Sequence, residues 1–132
     1  MPQRFGIDTS ILVRLLTRDP EDEFEYCITS LSSLVGDQDA EILASNQVIG
    51  EAYVAVQHHY GVSRGDARTA LLDVLQSGLV APLNGRSAID ALSATQAPGL
   101  FDRLIVDDYS RVGMETLTLD RRMASLSEAQ RL

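Results

Sequence analysis

The sequence predicts an α/β fold in three layers: a central, mostly parallel sheet of four to five strands with helices on both faces. Three observations carry this. Strand-type and helix-type segments alternate along the chain. No hairpin signal joins one strand to the next, so successive strands are joined through helices and run parallel. Asp8 follows the first strand-type segment and Asp120 the last full one, on the rim where an open parallel sheet gathers its ligands. At 132 residues and 45% hydrophobic, the chain 1–132 reads as a single domain able to bury roughly two-thirds of its unfolded surface.

Phe5-Gly6-Ile7 is short and apolar and ends on Asp8, so it reads as a buried first strand. Thr9 or Ser10 is then expected to cap a helix from Ser10 to about Thr17. Asp19-Pro20 stops that helix, because the residue before proline avoids helical geometry. The next helix carries Glu21, Asp22, Glu23 and Glu25 in its first turns, where acids suit the positive end of the dipole. These four read as a solvated face, with Phe24, Cys27, Ile28, Leu31 and Leu34 as the apolar one, and Gly36-Asp37 as its end. Glu41 to Ala44 is a second strand. Ser45-Asn46 caps a helix carrying Val48, Ile49, Ala52, Val56 and Tyr60. His58 and His59 sit late on it and, as neighbours, face different directions, so they read as structural or solvent-facing rather than as metal ligands.

Gly61 breaks that helix, and Ser63-Arg64-Gly65-Asp66 resembles a capping box with Asp in place of Glu. Ala67, Ala70, Leu71, Val74 and Leu75 form the apolar face that follows. Gly78 to Leu83 is a short strand with Pro82 ending it or lying at an edge. A helix over about Ala88–Thr95, the loop Gln96-Ala97-Pro98-Gly99 and a helix over about Phe101–Val112 follow, the last closed by Gly113. Glu115 to Thr118 is a strand with Asp120 straight after it, and Arg121–Leu132 is a turn or short helix with a marginal final strand.

The formal net charge is −8, from 19 acids and 11 basic residues, every one of them Arg. A polyanion is repelled overall by such a chain, so any nucleic-acid contact must be local and metal-assisted. Trp is absent and aromatics reach only 5%, too few for a single-strand binder built on base stacking. Cys27 stands alone, which excludes an intrachain disulfide framework and a cysteine-rich metal site. Met1-Pro2-Gln3-Arg4 leads into no signal-type apolar segment, and no run of eighteen apolar residues occurs. The expected location is the cytoplasm, with no membrane partner.

Four acids share one placement. Asp8 follows the first strand and Asp120 the last full one. Glu51 lies on the helix after the second strand, and Asp102 on the first turn of the helix before the last. On a parallel sheet these positions fall on one rim. Four carboxylates gathered there would repel one another unless a cation joined them. Oxygen-only ligands of high charge suit Mg²⁺ or Mn²⁺, which in turn suits a phosphate-containing substrate.

Taken in order, Asp8-Thr9-Ser10-Ile11-Leu12, Asn46-Gln47-Val48-Ile49-Gly50-Glu51, Phe101-Asp102-Arg103-Leu104-Ile105 and Thr118-Leu119-Asp120 resemble the PIN-domain ribonucleases. The likeness is closest to the VapC-type toxins of toxin–antitoxin pairs. It spans nearly the whole chain, and Thr118-Leu119-Asp120-Arg121-Arg122-Met123-Ala124 with a terminal Leu extends it. The chain departs from the pattern at Gly99, three residues before Asp102, where many relatives carry another acid.

The resemblance implies a Mg²⁺- or Mn²⁺-dependent endoribonuclease in which Asp8 is the central metal ligand and Glu51, Asp102 and Asp120 complete the acidic pocket. Metal-activated water would open an RNA phosphodiester by in-line attack, leaving 5′-phosphate and 3′-hydroxyl ends. Thr9 or Thr118 would hydrogen-bond a carboxylate or bound water; the plainer alternative is a helix cap and a strand residue. Arg14, Arg18, Arg103, Arg121 and Arg122 are the candidate RNA contacts, Arg121 foremost. Asp107 and Asp108 are turned away from the face of Asp102 and read as solvated. A homodimer and a cognate antitoxin whose tail enters the acidic groove are also implied. The rival reading is a catalytically silent PIN-like domain whose acidic rim docks a basic peptide or protein. A response-regulator receiver is excluded by the absence of Lys, and an Asp-x-Asp phosphatase is disfavoured because Ser10 stands where its second acid belongs.

Overall fold

Residues 2–132 are described by a computed structural model. The chain forms two compact units, Met1–Leu83 and Asn84–Leu132.

The first unit is built on three parallel strands, β1 (Arg4–Gly6), β2 (Glu41–Ala44) and β3 (Ala81–Pro82), in the order β1-β2-β3. Register pairs Phe5 with Ile42 and Leu43 with Ala81. Pro82, which has no N–H for a ladder, sits on the two-residue edge strand, where proline is tolerated. Four helices accompany the sheet: α1 (Thr9–Thr17), α2 (Glu21–Gln38), α3 (Asn46–Tyr60) and α4 (Arg64–Leu75). Gly36 does not end α2. The helix runs through it to Gln38 and closes at Asp39 in the left-handed region, φ 54°, since a single glycine costs a helix only about 1 kcal/mol. Gly61, at φ 67°, does close α3, in the conformation that favours glycine. Ser45 and Ser63 cap α3 and α4 by accepting from Val48 N and Asp66 N at 3.2 and 3.1 Å. Leu12, Ile49 and Leu71, one each from α1, α3 and α4, are fully buried and form the centre of this core. Burying each such side chain stabilises the fold by about 1.5–3 kcal/mol.

The second unit contains α5 (Arg86–Ser93), α6 (Leu100–Ser110), β4 (Thr116–Thr118), a 3₁₀ turn (Met123–Ser125) and β5 (Ala129–Arg131). Leu92 and Leu100 are its most deeply buried large side chains besides Leu104. Helix α6 stops two residues before the expected Val112, and a turn carries the chain to Gly113 at φ 79°. Strands β4 and β5 pair in parallel as a sheet of their own, Thr116 with Ala129 and Thr118 with Arg131.

The expectation of one sheet of four to five strands is therefore corrected. The five strands form a three-stranded and a two-stranded parallel sheet, because which edges pair is set by tertiary packing and not by the local pattern of each strand. The α/β class and the parallel sense stand. Among the described residues no helix is long and apolar enough to cross a membrane.

Candidate functional site

In the first unit the site residues are placed by the junction of β1 and α1. Ile7 N–H still donates to Leu43 O at 3.0 Å, so the chain leaves the sheet at Asp8. Asp8 takes an extended conformation (φ −92°, ψ 177°) and is itself the N-cap of α1, accepting from Ile11 N at 3.3 Å. The expected caps, Thr9 and Ser10, do other work. A carboxylate is the stronger acceptor at the positive end of a helix dipole, and it frees both hydroxyls. Ser10 Oγ donates to Asp8 Oδ1 at 2.6 Å. Thr9 Oγ1 donates to Glu51 Oε1 on α3, also at 2.6 Å. The Ser10 hydroxyl, and after it the Ile11 N–H, hold the exposed Asp8 carboxyl below its ordinary pKa of 3.8 despite a small opposing effect of burial. Asp8 thus stays ionised, and Thr9 fixes the Glu51 carboxylate one full turn into α3.

The second unit places the other two acids. Gly99 precedes α6 without a side-chain cap, and Asp102 occupies the first turn, where a negative charge suits the dipole. Asp102 is half-buried. Burial first, and the negative charge of Asp120 second, raise its pKa above 3.8. Asp120 follows β4 by two residues. Its Oδ1 accepts from Arg122 N at 2.7 Å and Met123 N at 3.1 Å, so this carboxylate heads the 3₁₀ turn. Thr118 Oγ1 accepts from Asp120 N at 3.0 Å; it bonds the backbone of Asp120 and no carboxylate.

The acids are thus organised as two arrangements, Asp8 and Glu51 around Thr9, and Asp102 beside Asp120. Among the described residues no three Asp, Glu, His or Cys side chains form a group able to hold a metal ion. Within each unit the pair of acids offers only carboxylate oxygen, the donor type a hard divalent cation takes. The repulsion between Asp102 and Asp120 is also of the kind a cation relieves.

The candidate arginines separate clearly. Arg14 Nη1 donates to the Asp19 carbonyl, and Nη2 lies 3.2 Å from Glu23 Oε2. Arg18 closes α1 in the left-handed region with its guanidinium over Phe24, 5.5 Å from the ring centre. Arg103 donates from Nε to Pro98 O and from Nη2 to Gln96 O, both at 3.0 Å. It clamps the loop before α6. Arg121 is exposed. His58 and His59 are exposed at the end of α3, as expected.

One cluster has no signature in the sequence pattern. Asn84 Nδ2 donates to Asp107 Oδ2 at 2.8 Å and Asp108 Oδ1 at 2.9 Å, while Asn84 O accepts from Arg111 Nη1 at 3.0 Å. The two acids, expected to be solvated, instead bind the residue at the head of α5. The dipeptide Asn84-Gly85 signals a turn, but no periodicity says that α6 returns to it. Compared with protein-family models, curated proteins and solved structures, the chain gives no significant match.

Proposed function

We propose that the chain is a metal-dependent endoribonuclease of the PIN, VapC-toxin kind, with Asp8, Glu51, Asp102 and Asp120 supplying the carboxylates. The observation that supports this most is the Asp102–Asp120 relationship. A half-buried acid on the first turn of α6 is pushed toward its protonated form by burial first and by a second acid just past β4 second. Two acids that repel each other in a partly buried place are an arrangement that a bound cation stabilises.

When bound, Mg²⁺ or Mn²⁺ would supply a water of lowered pKa and offset charge on the phosphodiester. The chain's own residues do the rest. Ser10 Oγ and the Ile11 N–H keep Asp8 ionised, Thr9 orients Glu51, and the amides of Arg122 and Met123 hold Asp120 in one rotamer. A cognate antitoxin, a homodimer and a cytoplasmic location belong to the same proposal.

The test is cleavage of single-stranded RNA by the purified chain with Mg²⁺, with Mn²⁺ and with EDTA, and by Asp8→Asn. Asparagine can still accept from Ile11 N as a cap but brings no charge. We expect divalent-dependent cleavage that Asp8→Asn loses while its melting temperature holds. Undiminished cleavage by Asp8→Asn, or cleavage that survives EDTA, would reject the assignment.

A further inference from the structure

The eleven arginines divide by what they already hold. Arg4 and Arg86 pair with Glu41 and Asp90, and Arg14 with Glu23. Arg18 and Arg68 lie over the rings of Phe24 and Tyr53. Arg103 and Arg111 donate to backbone carbonyls. Four remain whose guanidinium groups engage no acid, ring or carbonyl among the described residues: Arg64, Arg121, Arg122 and Arg131. Three of those four belong to one small block of the second unit. Arg121 and Arg122 follow Asp120 directly. Arg131 stands on β5 in register with Thr118 on β4, one strand spacing away, about 4.8 Å between backbones. All three are exposed.

The charge distribution makes this block distinctive. The first unit holds twelve acids against five arginines, and the second holds seven acids against six. The chain's net −8 therefore resides almost wholly in Met1–Leu83. A polyanion is therefore repelled less by the second unit, where the block around Asp120 balances Glu115, Asp120 and Glu128 with Arg121, Arg122 and Arg131.

We propose that Arg121, Arg122 and Arg131 form a phosphate cradle that holds the backbone of single-stranded RNA beside Asp120. This rests on the nuclease reading for the identity of the polyanion and adds to it where that strand is gripped. Guanidinium forks match phosphate oxygens two at a time. With few aromatics in the chain, the grip comes from charge rather than base stacking, so it is strongly salt-dependent and indifferent to sequence. Asp120, held by the amides of Arg122 and Met123, carries its acid into the same turn that presents Arg121 and Arg122.

The test compares Arg121→Gln/Arg122→Gln/Arg131→Gln with a control, Arg4→Gln/Arg64→Gln/Arg86→Gln, which removes the same charge elsewhere. Thermal melting first checks that both fold. Binding of a fluorescein-labelled oligouridylate to the full chain is then followed by anisotropy against salt, without divalent ions, alongside KM and kcat for RNA cleavage. Each lost phosphate contact lowers the salt slope by about 0.7, so the cradle variant loses about 2 in slope. Between about 50 and 200 mM salt its affinity then changes roughly 20-fold less than that of the unaltered chain. KM rises with little change in kcat, and the control stays near the unaltered chain. Equal slopes in both variants would overturn the cradle, as would tighter binding of an oligoglutamate peptide than of the RNA. The binding arm stands even if no cleavage is found, which would count against the nuclease reading alone.

Discussion

Thr9 Oγ1 lies 2.6 Å from Glu51 Oε1 and donates to it, joining the first turn of α1 to the second turn of α3 across 42 positions of sequence. The bond leaves one Glu51 oxygen committed and the other available. Thr9 sits next to the cap residue Asp8, so the same backbone turn sets the positions of both acids.

Thr9→Val keeps shape and removes the donor. We expect Mn²⁺ affinity, read by calorimetry, to fall about 10-fold, the lower range for a lost outer hydrogen bond to a metal-binding group. Thr9→Ser should restore most of it. Equal affinity in Thr9→Val and the unaltered chain would remove Thr9 from the site.

Ser10→Ala tests the other hydroxyl. The Ser10 hydroxyl is the largest cause of the lowered Asp8 pKa, so its loss raises the Asp8 titration midpoint, read by carboxyl-carbon NMR. A carboxyl depressed in the fold stabilises it above the unfolded pKa, and that contribution fades as pH falls through the folded value. Ser10→Ala should therefore lose acid resistance at a higher pH than the unaltered chain.

Asp102 behaves in the opposite sense. Its folded pKa lies above 3.8 because of burial first and Asp120 second, so the folded chain holds this proton more tightly. Its effect on stability is favourable at low pH and is lost as pH rises from 3.8 through the raised value. Metal ligands must be deprotonated, so Mn²⁺ affinity should weaken on acidification through the same window. Asp120→Asn should lower the Asp102 midpoint part of the way, leaving the share due to burial. An unmoved midpoint in NMR titration would show that the two acids do not sense each other.

Asn84→Asp replaces the donor shared by Asp107 and Asp108 with a third carboxylate. Loss of the two bonds, discounted for the exposure of Asp108, should cost about 1–2 kcal/mol in urea denaturation. Added salt should recover part of that by screening the new repulsion. Asn84→Ala, which loses the bonds without adding charge, should fall between the two.

Much of this molecule was legible from local chemistry. Ser45, Ser63 and Gly61 stand at helix ends for reasons of capping and φ that depend on nearest neighbours. Glu41–Ala44 appears as a strand with the bounds its residues predict, and His58 and His59 are exposed in the last turn of α3. The α/β class and parallel strands followed from the order of segments, and so did the four acids as candidates, because strand ends and first helical turns are properties of short stretches.

What only the tertiary structure decided depends on groups distant in sequence. Patterning cannot tell whether five short strands make one ladder or two, since ladders are settled by which edges meet. With Asp8 as the cap, the Thr9 hydroxyl is left free to reach Glu51, a partner 42 positions away that no local pattern names. Arg14 and Arg103 lost their freedom to carbonyls and a carboxylate, whereas Arg121 did not. Asp107 and Asp108 gained Asn84 because α6 packs back on the head of α5. Local propensity selects what each residue can bond, and the fold decides which of those partners comes within about 3 Å.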